Sequence, residues 1–179
     1  MGCRPRRSYA RSRWISPHLT DDLIEAALLP AAPAPLRGAD AVAALLVHED
    51  GRYIVQLRDA LPTIFYPGHW GCFGGAVDAR ETPLAALARE LAEELEFAVA
   101  SATEFTRFEF DLSRLGQSKV YRIYFEVPVS AADYDRFVLH EGVAFDAVAG
   151  HELLMRRRVT PYDAFAIWLH MSRRRLAPA

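Results

Sequence analysis

The chain has 179 residues, of which 51% are hydrophobic, so it is long enough for one domain with a real core and a short extension. Its formal net charge of -2 gives no chain-wide basic field, which argues against a stable nucleic-acid partner and favours a small-molecule substrate. No apolar run is long enough to cross a bilayer, and Cys3 and Cys72 are too far apart in sequence to suggest a disulfide framework, so a cytoplasmic protein with no membrane partner is expected.

Residues 1–37 are predicted to form an extension ahead of the main domain. The first 18 residues contain several arginines and no acid, which is typical of a basic tail or of an arm that contacts a polyanion or the partner in a homodimer. Thr20 is predicted to cap a short helix over residues 21–29, because its hydroxyl can accept a free backbone N–H. The prolines of residues 30–35 then indicate a linker, and the domain proper is predicted over 38–179.

Three strands are predicted before the long helix. Ala41–His48 and Arg52–Leu57 are apolar runs on either side of a glycine turn, which predicts a hairpin. Asp59–Gly68 contains two prolines and is predicted to be a loop. Trp70–Phe73 is predicted to be a short strand that leads into two consecutive glycines.

A helix is predicted over Pro83–Leu95, since Thr82 can cap it and proline is favoured in a first turn. Its leucines recur at helical spacing and predict one buried face: Leu84, Leu87, Leu91 and Leu95.

The second half of the chain is predicted to alternate strands and helices irregularly. Strands are predicted at Phe97–Phe110, Lys119–Val127 and Gly142–Val148, the first two around a turn at Ser113–Ser118. Helices are predicted at Ala131–Phe137, His151–Arg157 and Thr160–Arg173. This order predicts an α/β fold, a mixed sheet with helices on both sides.

The chemistry-bearing pattern lies on the predicted Pro83–Leu95 helix. Glu90, Glu93 and Glu94 stand at i, i+3 and i+4, which places three carboxylates on one helix face within reach of a common point. Such close like charges repel one another, and a hard divalent cation such as Mg²⁺ or Mn²⁺ removes the repulsion. A solvated helix face, with Arg89 as a surface partner, is the alternative interpretation.

The segment from Gly75 to Phe97 resembles the Nudix box, G-x5-E-x7-R-E-U-x-E-E-x-G-U with U aliphatic, and so favours the metal interpretation. It departs at one fixed position, where Glu96 replaces the final glycine, and the aromatic Phe97 fills the last apolar position. The family glycine ends the helix at positive φ, so Glu96 is expected to cost about 1 kcal/mol locally. With its flanking strands the resemblance extends over 38–173 and implies a Nudix-type α/β/α sandwich.

The resemblance implies roles for the box residues. Glu90, Glu93 and Glu94 are expected to bind Mg²⁺ or Mn²⁺, helped by the carbonyl of Gly75. Glu81 and Arg89 are expected to pair and to orient these carboxylates. The implied reaction is attack of water on a phosphorus atom of a nucleoside diphosphate derivative, a small nucleotide-type substrate.

Three residues outside the box are candidates for substrate chemistry. Glu141 is the candidate general base in a later loop, and an exposed loop acid is the alternative. Arg58 is a candidate phosphate ligand, or else a salt-bridge partner of Asp59. Tyr66 is a candidate for stacking on a base.

Two other functions stay open. One is a Nudix-like module that senses a nucleotide without cutting it, although such a module usually has a damaged box. The other is an isopentenyl diphosphate isomerase-like enzyme, in which Cys72 would be catalytic. The substrate also stays open: the proline that marks ADP-ribose hydrolases is absent from residues 101–117.

Overall fold

The computed structural model describes residues 36–176, so the predictions for the Thr20 helix, the proline linker and the basic tail lie outside the described residues. The strands are β1 Ala41–His48, β2 Tyr53–Leu57, β3 Trp70–Gly71, β4 Thr103–Phe110, β5 Val120–Val129 and β6 Ala144–Val148. The α-helices are α1 Pro83–Leu95, α2 Ala131–Tyr134, α3 Gly150–Arg156 and α4 Pro161–Leu176, and a short 3₁₀ turn covers Ser113–Leu115.

The six strands form one mixed sheet. β1 pairs antiparallel with β2 and parallel with β5, and β5 pairs antiparallel with β4. β6 pairs with all five residues of β2 along one of its edges. β1 and β3 therefore share the other edge of β2, where β1 pairs with its first half and β3 with its last two residues. The predicted hairpin of β1 and β2 and the antiparallel pair β4–β5 are therefore confirmed.

Helices cover both faces of the sheet, which confirms the predicted architecture. The α1 face packs Leu87, Leu91 and Leu95 of the helix against Val42 and Ala44 of β1. The opposite face packs α3 and α4 against the strand residues Ala43, Leu45 and Tyr124 and against Cys72, which follows β3. Both faces of β1 are covered, which explains its continuous apolar sequence.

The predicted buried face of α1 is wrong at its first position. Leu84 is 52% exposed, whereas Ala86 is fully buried. No residue of the first turn, 83–85, is buried, so this turn lies outside the hydrophobic core. Hydrophobic spacing therefore predicts which residues share a face but not how far the core extends along it.

Several predicted strand boundaries also shift, and two of these shifts have a clear physical reason. β4 begins at Thr103 instead of Phe97, because Phe97 is buried against Phe137, with the ring centroids 5.1 Å apart. β5 continues past Val127 through Pro128, which pairs only with β1. Proline fits there because the β4 ladder has ended at Glu126 and that edge of the strand needs no N–H donor.

No helix within residues 36–176 has both the length and the apolar character to span a bilayer.

Candidate active site

Helix α1, which carries the acidic side chains, is capped at both ends. Thr82 Oγ1 accepts from the amide of Ala85 at 3.2 Å, and Pro83 occupies the first turn, as predicted. At the other end Glu96 adopts φ 54° and its amide donates to Ala92 O at 3.1 Å. The left-handed conformation predicted at the box glycine position is therefore present, with glutamate adopting it.

Glu94 is buried, which excludes for this residue the alternative interpretation of a solvated helix face. Its side chain is 3% exposed and accepts from the amide of Gly74 at 2.8 Å and from Gln56 Nε2 at 3.2 Å. Burial, with a smaller contribution from the nearby charge of Glu141, raises the pKa of Glu94 to about 7, although the two hydrogen bonds oppose the shift. A buried carboxylate with two neutral donors lacks a compensating positive charge.

Glu90 packs directly on Gly75. A Cβ atom at residue 75 would lie 2.5 Å from Glu90 Oε1, so any side chain there would displace the carboxylate. Burial raises the pKa of Glu90, whereas Arg89 opposes this shift. The Gly75 carbonyl, expected to be a metal ligand, accepts from the amide of Val42 at 2.9 Å and so has one lone pair left.

The Glu81–Arg89 pair is present. Arg89 Nε and Nη2 donate to the two Glu81 oxygens at 3.1 and 3.0 Å, and this pairing lowers the pKa of Glu81. Arg89 Nη1 also donates to Glu90 at 2.9 Å and to Glu93 at 3.1 Å. Arg89 is thus both the expected partner of Glu81 and a partner of the acidic face.

These residues fit a divalent cation by their chemistry. Within residues 36–176 no three His, Cys, Asp or Glu side chains are already arranged around one metal position. Glu90 and Glu93 nevertheless converge on a single cationic nitrogen, Arg89 Nη1, and Glu94 is a desolvated acid nearby. Oxygen donors of this kind are those that Mg²⁺ and Mn²⁺ prefer, so Glu90, Glu93 and Glu94 are the residues that would hold such a cation.

The structure brings Glu141 to the acidic residues. Its charge contributes to the raised pKa of both Glu90 and Glu94, so it lies within electrostatic range of them. The neighbouring His140 donates from its amide to Glu94 O at 2.9 Å. The predicted approach of this loop to the box is therefore present, while the role of Glu141 as a base stays a prediction.

Arg58 and Tyr66 lie near the start of α4 instead of contacting the glutamates. Arg58 Nε donates to Phe65 O at 3.2 Å. Asp59, the alternative salt-bridge partner of Arg58, accepts instead from the amide of Gly142 at 3.3 Å. Tyr66 adopts φ 51° and meets Tyr162 edge-on, with the ring centroids 5.6 Å apart.

Sequence reasoning missed an aromatic groove beside α4. It has a volume of about 410 Å³ and is lined by Tyr66, Phe108, Phe110, Pro161, Tyr162 and Phe165. Arg122 lies over the Tyr162 ring at 4.7 Å, and its buried Nε forms an ion pair with Asp163 Oδ1 at 3.5 Å. The signal in the sequence is the aromatic content of β4 and α4, but only the fold brings these elements together.

Cys72 lies on the wrong face of the sheet for catalysis with the box glutamates. It is 1% exposed among apolar residues on the α4 face, whereas α1 covers the opposite face. Burial raises the pKa of its thiol well above the usual value, which disfavours the reactive thiolate. The isomerase-like interpretation therefore loses its catalytic cysteine.

The chain belongs to the NUDIX domain family, whose model matches residues 38–167. No curated protein matches it. Many solved structures share the fold, including the following three. The MutT protein of Methanosarcina mazei Go1 is 21% identical with a TM-score of 0.62, and the alignment covers 80% of this chain and 99% of that one. The E. coli dihydroneopterin triphosphate pyrophosphohydrolase is 18% identical, with a TM-score of 0.57 and coverage of 75% and 95%. A C. elegans Ap4A hydrolase is 14% identical, with a TM-score of 0.59 and coverage of 78% and 100%.

Proposed function

We propose that this protein is a Mg²⁺-dependent hydrolase that cuts a phosphoanhydride bond in a nucleoside diphosphate derivative. The observation that carries the proposal is the acidic face of α1, where Glu90 and Glu93 converge on one cationic nitrogen beside the buried Glu94. Structures named for MutT, for a dihydroneopterin triphosphate pyrophosphohydrolase and for an Ap4A hydrolase share this fold, which supports the substrate class but selects no member of it.

The cation would be held by Glu90, Glu93 and Glu94, where it would neutralise phosphate charge and lower the pKa of bound water. Arg89 would swing from Glu90 and Glu93 while remaining bound to Glu81, which keeps α1 oriented. Glu141, beside these acids, would accept the proton of the attacking water.

The aromatic groove would hold the base of the substrate. Tyr66 and Tyr162 offer rings on which a base can stack, and most of the lining is apolar. The loop between β2 and β3 connects the two regions: Asp59 contacts the loop that carries Glu141, and Tyr66 lines the groove. A substrate with its base in the groove would therefore extend along this loop to the glutamates of α1. Arg58, in the same loop, would bind a phosphate of that substrate.

A sensor that binds a nucleotide without cutting it is the second candidate. The observation that favours it is that Arg89 Nη1 occupies the point between Glu90 and Glu93. A guanidinium that stayed there would neutralise the acids and leave no place for a cation.

A hydrolysis screen separates the two candidates. Wild type, Glu93→Gln and the control Glu109→Gln, which changes an exposed acid on β4, would be incubated with Mg²⁺ and a panel of nucleoside diphosphate derivatives. We expect wild type and the control to release nucleoside monophosphate or phosphate from at least one compound. Glu93→Gln should be slower by about 100-fold or more, because it loses a charged ligand. Equal rates in all three proteins, or no hydrolysis with tight nucleotide binding, would contradict the proposal.

A further inference from the structure

Glu96 stands where the Nudix box has glycine, and its side chain makes a contact that glycine cannot make. Its backbone lies in the left-handed region, at φ 54°, which is costly for a residue with a Cβ atom. Its carboxylate accepts a hydrogen bond from His140 Nε2 at 2.8 Å. A backbone outlier that joins two separate elements indicates a role beyond ending the helix.

His140 belongs to the loop 138–142, which carries Glu141. Two backbone amides of this loop also donate to carbonyls at the end of α1: Val138 N to Leu95 O at 3.2 Å and His140 N to Glu94 O at 2.9 Å. Those carbonyls have no partner within the helix, so the loop completes the hydrogen bonding of the helix end. The Glu96–His140 contact adds a side-chain bond to this junction.

The other end of the loop is fixed against β2. Gly142 adopts φ 85°, and a Cβ atom there would lie 2.8 Å from Gln56 Oε1 and 2.9 Å from Leu57 O. Glu141 therefore lies between a glycine packed on the sheet and a histidine bonded to α1. Its position depends on both neighbours, because it is the single residue between them.

We infer that the Glu96–His140 hydrogen bond is a latch that fixes Glu141 beside the box glutamates, so that Glu96 and His140 are positioning residues for hydrolysis. This inference rests on the proposed function, in which Glu141 takes the proton from water. The two side chains are 59% and 48% exposed, so the bond adds little to global stability and acts on the loop. Glycine at position 96 would relieve the backbone but leave His140 without its acceptor.

The kinetic test uses variants that separate backbone strain from the latch. We expect Glu96→Gly to raise the melting temperature, because glycine accepts φ 54°. It should nevertheless lower kcat by about threefold or more with little change in KM. His140→Ala should lower kcat equally without the gain in melting temperature, and the double variant should lose no more than either. Glu96→Gln keeps an acceptor oxygen and should restore most of the kcat.

Hydrogen exchange supplies a readout that does not depend on activity. The amides of residues 138–142 should exchange faster in Glu96→Gly and His140→Ala than in wild type and Glu96→Gln. Unchanged exchange, or a Glu96→Gly variant with the kcat of wild type, would overturn the latch. If the wild-type protein hydrolysed no compound, the proposed function would be overturned. The hydrogen-exchange rates would still decide separately whether the Glu96–His140 bond holds the loop.

Discussion

Gly75 and Glu90 show how a single atom constrains the site. The Glu90 carboxylate occupies the space that a Cβ atom at residue 75 would take. Its position therefore requires glycine at residue 75. The sequence pattern predicts that both residues matter, and the structure supplies a physical reason. Glu94 could not be placed in the same way, because its inward direction depends on Gln56 and Gly74 from other elements.

Gly75→Ala is expected to displace Glu90 and to weaken both metal binding and hydrolysis. The fall in kcat/KM should be about tenfold or more, since a misplaced carboxylate loses the geometry that holds the cation. Gly116→Ala is the matched control: no atom lies within 4 Å of its Cβ position, although φ is +73°. This control should lose about 1 kcal/mol of stability and keep its activity. If Gly75→Ala retained wild-type kcat/KM, the close packing on Glu90 would have no role in catalysis.

Local sequence patterns predict the bounds of a helix or strand well where residues of that same element determine where it begins and ends. The bounds of α1 and β1 match those predicted from capping and apolar runs. The predicted strand from Phe97 fails because the left-handed turn at Glu96 sends Phe97 into the core. The aromatic groove was not predictable, since its walls come from β4, α4 and the loop that carries Tyr66.

The buried His170 of helix α4 joins this helix to the sheet. Its Nδ1 atom lies 2.7 Å from the hydroxyl of Tyr53 in β2, and its Nε2 atom lies 2.7 Å from a carboxylate oxygen of Glu126 in β5. Arg173 Nη1 lies 3.1 Å from Nδ1. Burial lowers the pKa of His170, Glu126 opposes the shift, and Arg173 adds to it. The folded protein therefore disfavours the protonated ring.

This shift predicts a loss of stability in acid. Below the ordinary histidine pKa, near 6.5, His170 binds a proton in the unfolded chain more readily than in the folded protein. The free energy of unfolding therefore decreases as the pH is lowered through this range. His170→Gln keeps a donor for Glu126 but does not titrate, and should show a smaller fall between pH 7 and pH 5.5 in urea unfolding. The exposed His151→Gln is the control and should follow wild type. Identical slopes in all three proteins would contradict the assignment.

At the scale of the whole molecule, the sheet separates two kinds of chemistry. The acidic residues lie on the α1 face, whereas the aromatic groove and Cys72 lie on the α4 face. The loop between β2 and β3 contacts both sides through Asp59 and Tyr66. A substrate that uses both regions must therefore be extended, which suits a base and a phosphate chain joined by a sugar.

Manganese binding tests the central claim most directly, since the proposed reaction depends on a cation at the acidic face of α1. Free Mn²⁺ would be followed by electron paramagnetic resonance during titration with wild type, with Glu109→Gln, and with the triple variant Glu90→Gln, Glu93→Gln and Glu94→Gln. Melting curves would check that each protein is folded. We predict that wild type and Glu109→Gln bind Mn²⁺ alike and that the triple variant binds it about 100-fold or more weakly. Equal affinity in all three folded proteins would contradict the assignment of a metal site to these glutamates.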